Sequence, residues 1–128
     1  MAGELESVTR EMFDALDRGD AEAVIRLGAA EMQSVDEISR RWLRGLDEVG
    51  GYVRQLMGMV KGIHSTVSDV HESIWGDTGA VSCWLDQDYM LDGVPQHVSA
   101  PTTLLLRREG AAWKISLFHS VPLPAEGA

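Results

Sequence analysis

Residues Glu4 to Arg18 carry Leu5, Val8, Met12 and Leu16 on one stripe, with Phe13 beside it and acidic or basic side chains on the remaining faces. That spacing of three and four predicts an amphipathic helix. Gly19 is a natural left-handed stop, and Asp20 can cap a short second helix over about Ala21 to Leu27. Met32 to Asp36 reads as a short strand. A third helix is expected from about Asp47 to Met59, with Val49, Val53, Leu56, Met57 and Val60 on its apolar side. Gly50 and Gly51 weaken it by about 1 kcal/mol each relative to alanine, and such a pair is better tolerated where something packs closely against it. From Ile63 onward the period changes to two. Four strands are predicted, at about His64–Trp75, Ala80–Leu91, Pro95–Arg108 and Trp113–Val121, joined by glycine-bearing turns. The fold class is therefore α+β: N-terminal helices (about 4–28 and 47–60) laid on a curved antiparallel meander (about 63–121), forming a cone in one domain over residues 1–128.

The turns fix a register, and register sorts the faces. A loop at Gly76–Gly79 sets Ile74 against Val81 and Val70 against Leu85. A two-residue loop at Asp92-Gly93 sets Tyr89 against Gln96 and Leu85 against Ala100. A turn at Gly110-Ala111 sets Leu106 against Ile115, Leu104 against Leu117 and Thr102 against His119. Together these give one apolar face for the helices to cover. Its polar exceptions are Glu72, Gln87, Tyr89, Thr102 and His119. The opposite face carries Trp84, Leu105 and Phe118 among polar side chains, a surface expected to be covered by a partner.

Composition narrows the function classes. The 128 residues hold 11 basic and 20 acidic side chains, a net charge of −9, with no basic stripe. Nucleic acid and anionic membrane surfaces are poor partners for such a chain. One cysteine, Cys83, excludes an internal disulfide, no apolar run reaches bilayer length, and Met1 to Arg10 lacks the order of a secretory signal, so a cytoplasmic protein is expected. Asp69, His71, Asp86, Asp88 and His97 share the outer face, with Asp88 opposite His97. None has the spacing of a compact ligand motif, so neither metal nor cofactor is expected. Cys83 reads as an inert core thiol.

The ordered set Ala15-Leu16-Asp17-Arg18-Gly19-Asp20 with Leu27, Gly45-Leu46-Asp47, Gly76-Asp77-Thr78-Gly79-Ala80-Val81, and Trp113-Lys114-Ile115 leading to His119 resembles the nuclear transport factor 2-like superfamily. Within it the chain is similar to the SnoaL-like and ketosteroid isomerase-like group, from about Glu4 to Leu123. The resemblance implies a cystatin-like cone, a pocket within it, and a homodimer formed through the outer sheet face at Trp84, Leu105 and Phe118. It also implies that Asp36 stands where the isomerases carry their base. Their oxyanion tyrosine falls near Met12, and their proton-donating aspartate near Thr102 or Thr103, so two of three catalytic positions depart from the isomerase pattern.

Two readings follow. In one, Asp36 and His119 form an acid–base pair that moves protons on an enolisable or cyclising substrate. In the other, slightly favoured by the missing oxyanion donors, the chain is a binding or assembly module taking a small apolar molecule. Met12, Tyr52, Gln87, Tyr89 and Thr102 are the candidate ligand-binding residues in both. Ser34 and Glu37 compete with Asp36 for the inward position at the end of its strand.

Overall fold

The computed structural model describes residues 3–124, so the two ends of the expected 1–128 domain lie outside the described residues. Helices α1 (Glu4–Asp17), α2 (Ala21–Arg26) and α3 (Leu46–Met59) cover a curved six-stranded sheet. Its strands are β1 (Gly28–Asp36), β2 (Leu43–Arg44), β3 (Val60–Trp75), β4 (Thr78–Leu91), β5 (Val94–Glu109) and β6 (Ala112–Ser120). Their spatial order is β2-β1-β6-β5-β4-β3: the meander β3 to β6 is antiparallel throughout, and β1 runs parallel to β6 at its end. This is the expected α+β cone of helices on a curved sheet. Among the described residues no helix is long and apolar enough to cross a membrane.

Local chemistry sets the element boundaries. Asp20 accepts a hydrogen bond from the Ala23 amide at 3.1 Å and so starts α2. Glu72, the one acidic side chain on the apolar register, takes the Glu6 amide at 2.8 Å and ties the first turn of α1 to β3. A carboxylate at that end also suits the helix dipole. In α3 the glycine pair divides its roles. A Cβ at Gly50 would meet Ile25 Cδ1 at 3.3 Å, so Gly50 lets α2 approach, whereas a Cβ at Gly51 would meet no packing neighbour within 4 Å.

The core lies between the helices and the concave side of the sheet. Leu5, Met12 and Phe13 of α1 and Val49 and Val53 of α3 pack on Val81, Leu85, Leu104, Leu106, Trp113 and Ile115. Each such side chain, withdrawn from water, contributes about 1.5–3 kcal/mol. Cys83 is buried on the same face, and its thiol is pushed up to about 11 by that burial.

The register agrees with expectation at one turn and departs from it at two. At Asp92-Gly93, where both residues have positive φ (49° and 82°), Tyr89 pairs with Gln96 and Leu85 with Ala100. The first hairpin closes on two residues instead of four, pairing Trp75 with Thr78 and Ile74 with Gly79. That shift of two preserves the faces, but a bulge between Ser68 and His71, with Asp69 at φ 51°, then places Val67, not Val70, opposite Leu85. The β5–β6 pair starts as expected with Leu106 on Ile115. A bulge then leaves Ser116 as the extra residue, its hydroxyl donating to the Leu105 carbonyl at 3.1 Å. Beyond it Leu105 pairs with Leu117, Leu104 with Phe118, Thr103 with His119 and Thr102 with Ser120. One extra residue therefore reverses the end of β6. Phe118 turns inward, edge-on to Phe13 at 6.1 Å, and His119 turns outward, its ring 6.0 Å from Trp42.

Candidate functional site

A cavity of about 80 Å³ sits between the helices and the concave sheet, room for roughly three waters at liquid density. Met12, Phe13 and Leu16 of α1, Val24 and Ile25 of α2, Val49, Val53 and Leu56 of α3, and Leu85 and Phe118 of the sheet make most of its wall apolar. Helical and strand periodicities both deliver apolar atoms here, because each element turns its buried face to the same space.

The polar end is built by the last turn of β1. Alternation along the strand sends Met32, Ser34 and Asp36 to the cavity, and the chain then turns so that Glu37 and Ile38 line it as well. Asp36 makes that turn itself: its Oδ1 accepts the Ile38 and Ser39 amides at 2.9 and 2.7 Å, and Ser39 Oγ accepts the Asp36 amide at 3.0 Å. From α3, Tyr52 Oη donates to the same carboxylate, 2.9 Å from Oδ1 and 3.1 Å from Oδ2. From β4, Tyr89 Oη donates to Glu37 Oε1 at 3.0 Å. Two consecutive carboxylates are thus each held by a phenol from a different element.

Burial raises the Glu37 carboxyl above its ordinary range, and the neighbouring Asp36 charge adds to that, while the Tyr89 hydrogen bond works against it. Both phenols are raised too, first by burial and then by the carboxylates they face, so both stay protonated donors.

Of the residues singled out from sequence, Met12, Asp36, Tyr52, Gln87 and Tyr89 line this cavity. Gln87 is pinned: its Nε2 donates to Ser65 Oγ at 3.0 Å, and that hydroxyl donates to Asp17 Oδ1 at 2.7 Å. Thr102 is not in the wall. It is 2% exposed and its hydroxyl shares a 2.8 Å hydrogen bond with Ser120, which takes the place in the lining. His119 is exposed on the outer face, so the expected pairing of Asp36 with His119 across the pocket does not form; the Ser116 bulge is the reason. The same bulge removes Phe118 from the outer face, where Trp84 and Leu105 remain and Leu117 joins them. Phe118 and Ser120 line the cavity although the expected register put them on the outer face, and Ser34 and Glu37, rivals of Asp36 for the inward position, line it together with Asp36. Among the described residues no group of three metal-ligating side chains converges.

Residues 5–124 match the SnoaL-like domain family. No curated protein matches the chain in sequence. Its fold is shared with a protein of the NTF2-like family from Streptomyces avermitilis proposed to be a dehydratase (23% identity, 95% of this chain and 96% of that one, TM-score 0.87). It is shared also with a ketosteroid isomerase-like protein from Erwinia carotovora atroseptica (17%, 95% and 95%, TM-score 0.80). A third is an NTF2-like protein with a cystatin-like fold from Novosphingobium aromaticivorans (18%, 98% and 82%, TM-score 0.76). At these identities the likeness concerns the fold. With nearly all of its length matched by one family and its cone of helices on sheet shared with these structures, the chain belongs to the SnoaL-like domain family.

Proposed function

We propose that the chain is a small-molecule binding domain whose cavity takes a compact, mostly apolar molecule with its polar group toward Asp36 and Glu37. The observation that carries this reading is the asymmetry of the cavity: apolar along α1, α2 and α3, and polar at one end, where two phenol–carboxylate pairs meet. Ligand sites commonly combine an apolar body with a few fixed polar groups. Titration with compact fragments such as benzyl alcohol, followed by amide chemical shifts, tests it. Shifts should concentrate on α3 and the end of β1 and vanish when Leu56→Trp fills the space. If no fragment moves those amides, the reading is wrong.

A second reading is supported by Glu37. A buried carboxyl raised above its ordinary range beside a second carboxylate suits the proton transfers of isomerase or dehydratase chemistry. In this reading Asp36 and Glu37, not Asp36 and His119, are the proton-transfer pair. Incorporation of solvent deuterium into cyclohexanone, lost in Glu37→Gln, would support it; equal incorporation with and without protein would end it.

We also propose that two copies associate through the outer sheet face, which carries Trp84, Leu105 and Leu117. Leu105→Glu should convert a dimer to a monomer in sedimentation equilibrium. A wild-type monomer at 100 µM would rule the pairing out.

A further inference from the structure

The hydrogen-bonding capacity at the polar end of the cavity is one-sided. Both phenol protons are committed to carboxylates, so the tyrosine oxygens can meet a ligand only as acceptors. Asp36 Oδ1 takes two amides and a phenol, but Oδ2 has only the Tyr52 contact at 3.1 Å. Glu37 Oε2 accepts no hydrogen bond from another described residue. Ser34 is 7% exposed and lines the same cavity. Its hydroxyl is not a sealed, orphaned group, since among the described residues no buried side-chain polar atom lacks a hydrogen-bond partner; it faces the cavity space and is open to a ligand atom. The lining contains no lysine, arginine or histidine.

Such a site holds two carboxylates and no positive charge, and its only free donors are neutral hydroxyl and amide groups. A carboxylate ligand would bring more acceptors and a like charge against Asp36. An alcohol brings one donor. A protonated amine brings up to three donors and the opposite charge, and hydrogen bonds between ions are roughly twice as strong as neutral ones. Resting on the reading of the cavity as a ligand site, we propose that it selects compact apolar molecules carrying a protonated amine. The ammonium sits against the Asp36 and Glu37 carboxylates and the Ser34 hydroxyl, and the hydrocarbon body lies along Val53, Leu56 and Phe118. The chain's net charge of −9 draws cations toward the site but does not orient them, so selectivity rests on the cavity.

Benzylamine, benzyl alcohol and benzoate share one ring and differ in the polar group. Titrated at pH 7.5 in 0.15 M salt and followed by amide chemical shifts, benzylamine should bind about tenfold or more tightly than the alcohol, with benzoate weakest; one tenfold step is about 1.4 kcal/mol. Glu37→Gln and Ser34→Ala should each weaken benzylamine by a larger factor than they weaken the alcohol, and their amide spectra report whether they are folded. Leu56→Trp should abolish binding of all three. Alcohol or benzoate binding as tightly as the amine overturns the amine selectivity but leaves the cavity a ligand site. Benzylamine shifts confined to surface acidic residues and retained in Leu56→Trp also overturn it, as attraction to net charge alone. No cavity shift from any of the three sinks both readings.

Discussion

Tyr89 donates its phenolic proton to Glu37 across 3.0 Å, joining the middle of the sheet to the turn that follows β1. Glu37 is nevertheless held above its ordinary carboxyl value of 4.5, because burial outweighs the phenol. The folded state therefore binds this proton more tightly than the unfolded chain does. The stability it contributes is present at low pH and declines as pH rises from about 4.5 through the folded value. Glu37→Gln removes that decline. Urea unfolding between pH 4 and 8 should show the variant gaining on the wild type as pH rises. A constant difference across that range would mean Glu37 ionises as freely folded as unfolded.

Tyr89→Phe leaves the Glu37 carboxylate without its side-chain donor. A hydrogen bond to a charged group contributes about 1.5–3 kcal/mol, so the variant should lose stability of that order above the Glu37 titration and less below it. Carboxyl chemical shifts should also move the Glu37 titration upward. A downward shift would contradict the arrangement.

Gly79 is where α1 rests on β4. A Cβ there would stand 2.4 Å from Leu5 Cδ1, and Leu5 is fully buried. Gly79→Ala should therefore cost about 1–3 kcal/mol through overpacking. In a Leu5→Ala background the same change should cost much less, because the atom it strikes is gone. Additive losses in the double-mutant cycle would show that the two positions do not touch.

The reversal at the end of β6 is tested by neighbours. Phe118→Ala removes a ring packed on Phe13 and should cost about 2–4 kcal/mol. His119→Ala, at an exposed position, should stay within about 0.5 kcal/mol in a monomeric background such as Leu105→Glu. The opposite ranking would mean that β6 lacks the bulge.

Cys83, buried and with its thiol pushed up to about 11, should react with a disulfide reagent far more slowly in the folded protein than in 6 M urea. Equal rates would place it in open contact with solvent.

The helices, the four long strands and the strand carrying Asp36 were legible because each has a strong period or a turn with its own residue chemistry. Asp20, Gly19 and Asp92-Gly93 carry their conformations in their side chains or in the lack of one. The cavity was half legible: Met12, Tyr52, Gln87 and Tyr89 follow from alternation and helical spacing, and Ser34 and Glu37 stood as rivals to Asp36 where all three in fact line the space. What escaped was the end of β6. A bulge adds a residue without any mark in composition, and serine, the extra residue here, is ordinary in a strand. The available signal was Phe118 itself. Alternation from Ile115 put that large ring on the water side and a histidine in the core, an assignment that costs apolar burial twice.

Ser116 works as a parity switch for the strand that closes the cone. With Ser116 bulged out, Phe118 and Ser120 furnish the cavity; the same residues in an unbroken ladder would offer Leu117 and His119 in their place, with the turn and the earlier pairs untouched. Drawing Ser116 into the ladder would put an imidazole where the Ser120 hydroxyl stands beside Asp36. Members of one fold can in this way trade the chemistry of their interior through a bulge alone, without any substitution at the site.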